Sequence, residues 1–207
     1  LSYMRPPLTP SILEKVAGNY SEHAPFCLFE IDLVNPFTAS SDVHSELPYE
    51  PWHMALCHTD GYYHAKLYLE ELFHRLPVKE FSYVGVNEVD TESIPPWILR
   101  SQDIYHPGRR VYVKCGNDIV GIVGEIRSVV MEKMGLEKPT GCAELDVNVL
   151  SPHVSPVIDY KDPSKYPTVV QDFCFVLDRS VPYAKVEEAI YAAKEASDVI
   201  RSVECAD

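Results

Sequence analysis

Basic side chains are scarce in this sequence. Its 207 residues carry 18 Lys and Arg against 31 Asp and Glu, which gives a formal net charge of −13. A protein that binds nucleic acid by itself usually presents a basic face, because neutralising the phosphates supplies most of the affinity. The composition therefore argues against strong independent RNA binding.

Long apolar runs are also absent from the sequence. No run approaches the roughly 20 residues that a membrane-spanning helix requires, and no signal-peptide pattern is present. We therefore expect a cytoplasmic protein without a membrane partner. Because residue 1 is Leu and Asp207 falls in a strand-like segment, we also expect the chain to be a fragment of a longer protein.

Signatures of catalytic and metal sites are missing as well. The six Cys form no C-x-x-C pair, and the four histidines between residues 53 and 74 match no structural zinc spacing. Gly121 and Gly124 lie inside a strand pattern, where close packing explains them better than a phosphate cradle does. We predict no metal ligand and no catalytic residue. The alternative to a non-catalytic protein is a stand-alone hydrolase or metal enzyme that uses these histidines.

Strand and helix periodicities alternate over the first 150 residues. They predict strands around 26–34, 52–57, 81–86, 110–114, 119–125 and 142–149, helices over 9–18, 62–76 and 129–134, and a turn at 106–109. Strands with segregated helices indicate an α+β fold with an antiparallel sheet over residues 1–150. The proline-rich residues 151–165 predict a linker. Residues 166–207 then predict a partial βαβ module, with strands at 169–177 and 200–205 around a helix at 183–194.

Six short segments carry a resemblance, through their order and their spread over nearly the whole chain. They are Met4–Leu13, Leu28–Ile31, His106–Arg109, Gly121–Glu125, Cys142–Asp146, and the pair Lys165–Val169 with Asp172–Val176. In this order they resemble motifs in the C-terminal part of the phenylalanyl-tRNA synthetase β subunit.

The resemblance implies a core built like the catalytic domain of class II synthetases, but without the residues that do the chemistry. Such enzymes place an arginine after a glycine-rich strand. The strand at 143–150 has no glycine and presents Glu144 and Asp146, whose charge would repel a triphosphate. In the family the α subunit performs the aminoacylation with ATP and Mg²⁺, so no cofactor is expected in this chain. Residues 166–207 would begin a ferredoxin-like, anticodon-binding domain.

The resemblance also implies partners and a contact surface. The chain would bind the α subunit and help to assemble an (αβ)2 phenylalanine–tRNA ligase. By resemblance to the family's interface helix, the helix from Thr9 would lie at that contact, with Leu8, Ile12, Leu13 and Val16 as buried anchors. The alternative is that this apolar stripe faces its own sheet.

A contact with tRNA-Phe in the complete enzyme is a second expectation. The nearest basic candidates are Lys161, Lys165 and Arg179. A stand-alone paralogue that acts as a binding module without ligase activity is the alternative function. Exposed interface surface would also allow the chain to associate with itself.

Overall fold

The computed structural model describes residues 5–23, 25–36, 49–78, 80–155, 166–194, 200 and 202–203. The chain divides into two compact units, residues 1–160 and 161–207, and each is described by itself. The division falls in the range predicted for the linker, of which residues 156–165 lie outside the described part. Residues 151–155 belong to the first unit, because Val154 bridges to Val78 and the Ser155 N–H donates to the Pro77 carbonyl at 2.9 Å.

The first unit is a six-stranded antiparallel sheet with helices on both faces. In chain order its elements are α1 (Thr9–His23), β1 (Cys27–Leu33), β2 (Trp52–His58), α2 (Tyr62–Arg75), β3 (Phe81–Gly85), α3 (Pro96–Ser101), β4 (Tyr105–Cys115), β5 (Asp118–Ile126), α4 (Ser128–Met134), β6 (Gly141–Asp146) and α5 (Val147–Leu150). The strands are ordered β1-β2-β6-β5-β4-β3, and every neighbouring pair is antiparallel. The α+β antiparallel prediction is confirmed.

The register of the strands divides their side chains between two faces. Residues that pair directly across antiparallel strands point to the same side of the sheet. Ala55, Ile122 and Glu144 therefore share one face, which α1 and α3 cover and which we call the α1 face. Leu56 and Ala143 lie on the opposite face, which α2 covers with Ala65, Leu69 and Phe73, and which we call the α2 face.

Several boundaries differ from the sequence prediction for local physical reasons. β6 ends at Asp146 and not at residue 149, because the Asp146 carboxylate accepts the N–H groups of Asn148 (2.9 Å) and Val149 (3.1 Å) and caps α5. α1 continues to His23, past the predicted end at Gly18. The predicted turn at residues 106–109 is an irregular part of β4, where the pairing with β5 shifts between residues 105 and 110.

Close packing explains both glycines of β5, as predicted, and a Cβ on Gly124 would lie 2.7 Å from the Cβ of Arg110 in β4. A Cβ on Gly121 would lie 2.3 Å from the Glu144 carbonyl oxygen of the neighbouring strand β6. No side chain fits that distance without moving the backbone.

The second unit contains α6 (Tyr183–Lys194), so the predicted helix is confirmed. The strand predicted at residues 169–177 does not form, since its backbone is irregular and the described residues offer it no pairing strand. An isolated strand has no ladder to stabilise it. Half of the strand predicted at 200–205, namely residues 201, 204 and 205, lies outside the described residues, and residues 200, 202 and 203 are not in a strand.

Candidate functional site

A buried carboxylate stands at the centre of the α1 face. The side chain of Glu144 is 1% exposed and accepts four hydrogen bonds. The donors are the N–H groups of Leu8 (2.8 Å) and Thr9 (2.9 Å), the Thr9 hydroxyl (2.6 Å) and Nδ1 of His53 (2.8 Å). The Thr9 hydroxyl also lies 3.0 Å from the hydroxyl of Tyr105, whose pKa burial raises well above its usual value. Glu144 thus fixes the first turn of α1 to the sheet, where free backbone amides favour a negative charge.

The histidine of this cluster is enclosed on every side. His53 has no exposed side-chain surface, and its Nε2 lies 3.8 Å from Oδ2 of Asp146. The ring of Trp97 packs edge-on against it, with centroids 4.5 Å apart. We call Glu144, His53, Thr9 and Tyr105 the buried polar cluster.

The buried polar cluster corrects one expectation. We expected Glu144 and Asp146 to face the place where class II enzymes hold a triphosphate. Glu144 is instead covered by α1, and Asp146 caps α5. Neither carboxylate is open to a ligand, so the expected repulsion of a triphosphate by these two side chains does not apply.

The four predicted interface anchors are core residues of this chain. Leu8 and Val16 are 0% exposed, and Ile12 and Leu13 are 1% exposed. Side chains without exposed surface cannot contribute contact area to a partner. The apolar stripe of α1 therefore packs against the sheet of its own chain, which is the alternative stated from the sequence. That α1 lies at a subunit contact stays a prediction of the resemblance, and the surface described next, on the opposite face of the sheet, is the alternative to it.

An exposed apolar strip runs along the edge of the sheet on the α2 face. Phe29 is 71% exposed, Ile31 51%, Leu33 41% and Trp52 47%. Within the described residues, β1 is the terminal strand of the sheet. In the register, Phe29, Ile31 and Leu33 pair with Leu56, Met54 and Trp52 of β2. We call Phe29, Ile31, Leu33 and Trp52 the apolar strip; an exposed apolar patch of this kind marks an interaction surface in many proteins.

The acidic side of the same strand is engaged. The Arg5 guanidinium binds both Glu30, at 2.6 Å, and Asp32, and Lys15 binds Glu30 at 3.1 Å. Partial burial acts to raise the pKa of Glu30, but the hydrogen bonds and charges of Arg5 and Lys15 outweigh it and hold that pKa below its usual value. The Glu30 side chain is only 16% exposed, so the acidic side of β1 is an ion-paired surface and not a freely solvated one.

The remaining predicted residues are the basic candidates for RNA binding and the histidines. Lys161 and Lys165 lie outside the described residues, and Arg179 is exposed in the segment before α6. His58 stacks on His64 with centroids 4.9 Å apart, and His74 packs against Phe81. Among the described residues, no group of three His, Cys, Asp or Glu side chains is placed to hold a metal ion.

Comparison with known proteins decides the family. Residues 1–147 match the family model for the phenylalanyl-tRNA synthetase beta chain CLM domain. The chain belongs to this family. The match ends where β6 passes into α5, so it covers the sheet of the first unit and both of its faces.

Curated relatives extend the likeness beyond that domain. The chain is 29% identical to the phenylalanine–tRNA ligase beta subunit of Clostridium acetobutylicum over 91% of its own length and 22% of the relative's. It is 27% identical to that of Geobacter metallireducens over 100% of its length and 25% of the relative's. The chain thus spans about a quarter of the length of these relatives.

The chain is also similar to solved structures of a different tRNA synthetase. A pyrrolysyl-tRNA synthetase from Desulfitobacterium hafniense superposes with a TM-score of 0.49 and 17% identity, over 71% of this chain and 48% of that one.

None of the described helices is long and apolar enough to cross a membrane.

Sequence reasoning missed the apolar strip, although its signal was present. Apolar residues alternate with Glu30 and Asp32 along β1. Alternation establishes that the strand has two different faces. It does not say which face the rest of the chain covers.

Proposed function

We propose that this chain is a non-catalytic scaffold of a phenylalanine–tRNA ligase, and that it binds the α subunit through the apolar strip. The observation that carries the proposal is the exposure of Phe29, Ile31, Leu33 and Trp52 in a unit whose other large apolar side chains are mostly buried. Membership of the β chain family supports the identity of the partner. The holoenzyme would charge tRNA-Phe in the cytoplasm.

The buried polar cluster supports the non-catalytic role. Glu144 and His53 have 1% and 0% of their side chains exposed, and each is already bound to other groups of the chain. A carboxylate and an imidazole in this state have no access to a substrate. ATP and Mg²⁺ would accordingly be bound by the α subunit and not by this chain.

A binding experiment with one charge substitution tests the proposal. The chain is mixed with the α subunit of a phenylalanine–tRNA ligase from the same genome and examined by light scattering. We expect a mixed complex with the unchanged chain, and a loss of at least about tenfold in affinity for Phe29→Lys, as for a central interface residue.

A matched variant controls for the added charge. Gly18 lies on the exposed side of α1, and a Cβ there would have no atom within 4 Å, so Gly18→Lys adds the same single charge at a distance from the strip. It should leave the affinity within about twofold of the unchanged chain, as most substitutions outside an interface hot spot do. Separate species with the unchanged chain would refute the assembly role, and equal losses in both variants would refute the choice of surface.

A further inference from the structure

The apolar strip lies on the α2 face, at a distance from α2 that corresponds to about one helix diameter. Neighbouring strands lie about 4.8 Å apart, and packed helices lie about 8–10 Å apart. α2 packs most extensively on β6 and also on β5 and β2, so its axis runs near β6. β1 is two strands away from β6 in the sheet, which corresponds to roughly 10 Å. A second helix laid beside α2 would therefore cover β1 and the apolar strip.

α2 offers a side wall to such a helix. Tyr68 is 50% exposed, and its ring lies 5.2 Å from that of His58, at the end of β2. The opposite flank of α2 is directed toward the β3 edge of the sheet. There the Lys66 ammonium lies 4.3 Å from the centre of the Tyr83 ring. Tyr68 therefore borders the open space, with the apolar strip as its floor.

All four residues of the apolar strip are uncharged. The acidic residues of β1 project to the α1 face, where Arg5 binds Glu30 and Asp32. A strand of seven residues spans roughly 23 Å, which about 15 residues of helix would match. An amphipathic helix with apolar residues at i, i+3, i+4 and i+7 presents the complementary surface.

We propose that the α subunit docks here through one amphipathic helix laid beside α2, between Tyr68 and the edge of β1. This inference rests on the proposed function and names the kind of element that the strip receives. It differs from the addition of a partner strand to the edge of β1. Strand addition would use the outer backbone groups of β1 and would leave Tyr68 uncovered.

Two tyrosines of α2 provide a matched test. Tyr68 borders the space, whereas Tyr63 is 80% exposed and its ring contacts Tyr62, 5.3 Å away. We would measure the affinity of the 207-residue chain for the α subunit after Tyr68→Lys and after Tyr63→Lys, with circular dichroism to confirm that each variant folds. The expected result is a loss of at least about tenfold for Tyr68→Lys and a change within about twofold for Tyr63→Lys.

The other outcomes separate this inference from the proposed function. If Phe29→Lys weakens binding and Tyr68→Lys does not, the helix is refuted and strand addition takes its place, while the assembly role stands. If both tyrosine variants weaken binding equally, the contact is not confined to the space beside β1 and the inference is refuted. If the unchanged chain does not bind the α subunit, both proposals fail together.

Discussion

Two rows of apolar residues, one on α1 and the next on β1, differ in their exposure to solvent. The row on α1, with Ile12 as its middle member, is buried to within 1% of its surface in the core of the first unit. The row on β1 is equally regular, with an apolar residue at every second position, yet its middle member, Ile31, is 51% exposed. Periodicity identifies an apolar face in both cases. Only the packing of the folded chain shows which face is already covered, and the open row is the one that remains for a partner.

The largest expected effect comes from the same substitution in the two rows. Ile12→Ala removes buried methyl groups and leaves a cavity, so we expect it to lower the free energy of unfolding by about 3 kcal/mol. Ile31→Ala should lower it by less than about 1 kcal/mol, because this side chain is half exposed already. Urea denaturation followed by circular dichroism gives both values. Equal losses would mean that the β1 row is also part of a core.

The attachment of α1 depends on Glu144. Glu144→Gln keeps the size of the side chain but replaces one acceptor oxygen by an NH₂ group, which cannot accept from its present donors. We expect the free energy of unfolding to fall by about 2 kcal/mol. Tyr105→Phe removes only one hydroxyl of the same cluster and should cost about 1 kcal/mol. An effect of Glu144→Gln no larger than that of Tyr105→Phe would show that the carboxylate does not hold the helix.

The strand and helix pattern of the sequence anticipated much of this arrangement. Both long helices of the first unit, the strand positions and the packing role of Gly121 follow from local periodicity and turn residues. The end of β6 could not be predicted from periodicity, because it is set by the side chain of Asp146, which caps α5. The position of Glu144 did not follow either, since its partners Leu8 and Thr9 are more than 130 residues away in the chain.

The acidic face of β1 should make stability depend on pH. The pKa of Glu30 is lower in the folded chain than in the unfolded one, so its contribution is present above about pH 4.5 and is lost as the pH falls through the folded value. Arg5→Ala should cost about 1 kcal/mol at pH 7. The variant and the unchanged chain should converge as the pH falls through the folded pKa of Glu30. A constant difference across that range would assign the loss to packing and not to charge.

The smallest effect is expected on the exposed side of α1. Gly18 lies in this helix, and a Cβ there would have no atom within 4 Å. Gly18→Ala should therefore raise the free energy of unfolding by about 0.5 kcal/mol through helix propensity alone. A shift of the thermal midpoint measures it. Destabilisation by this change would mean that the outer side of α1 is not open to solvent.

Hydrogen exchange of the chain, measured alone and with the α subunit, locates the surface that the partner covers. We expect the α subunit to slow exchange in peptides that cover β1 and the middle of α2, where the apolar strip and Tyr68 lie. Exchange in the first turns of α1 should not change, because its apolar row is buried before any partner binds. Protection confined to α1, with exchange in β1 unchanged, would show that the α subunit binds α1 and not the apolar strip.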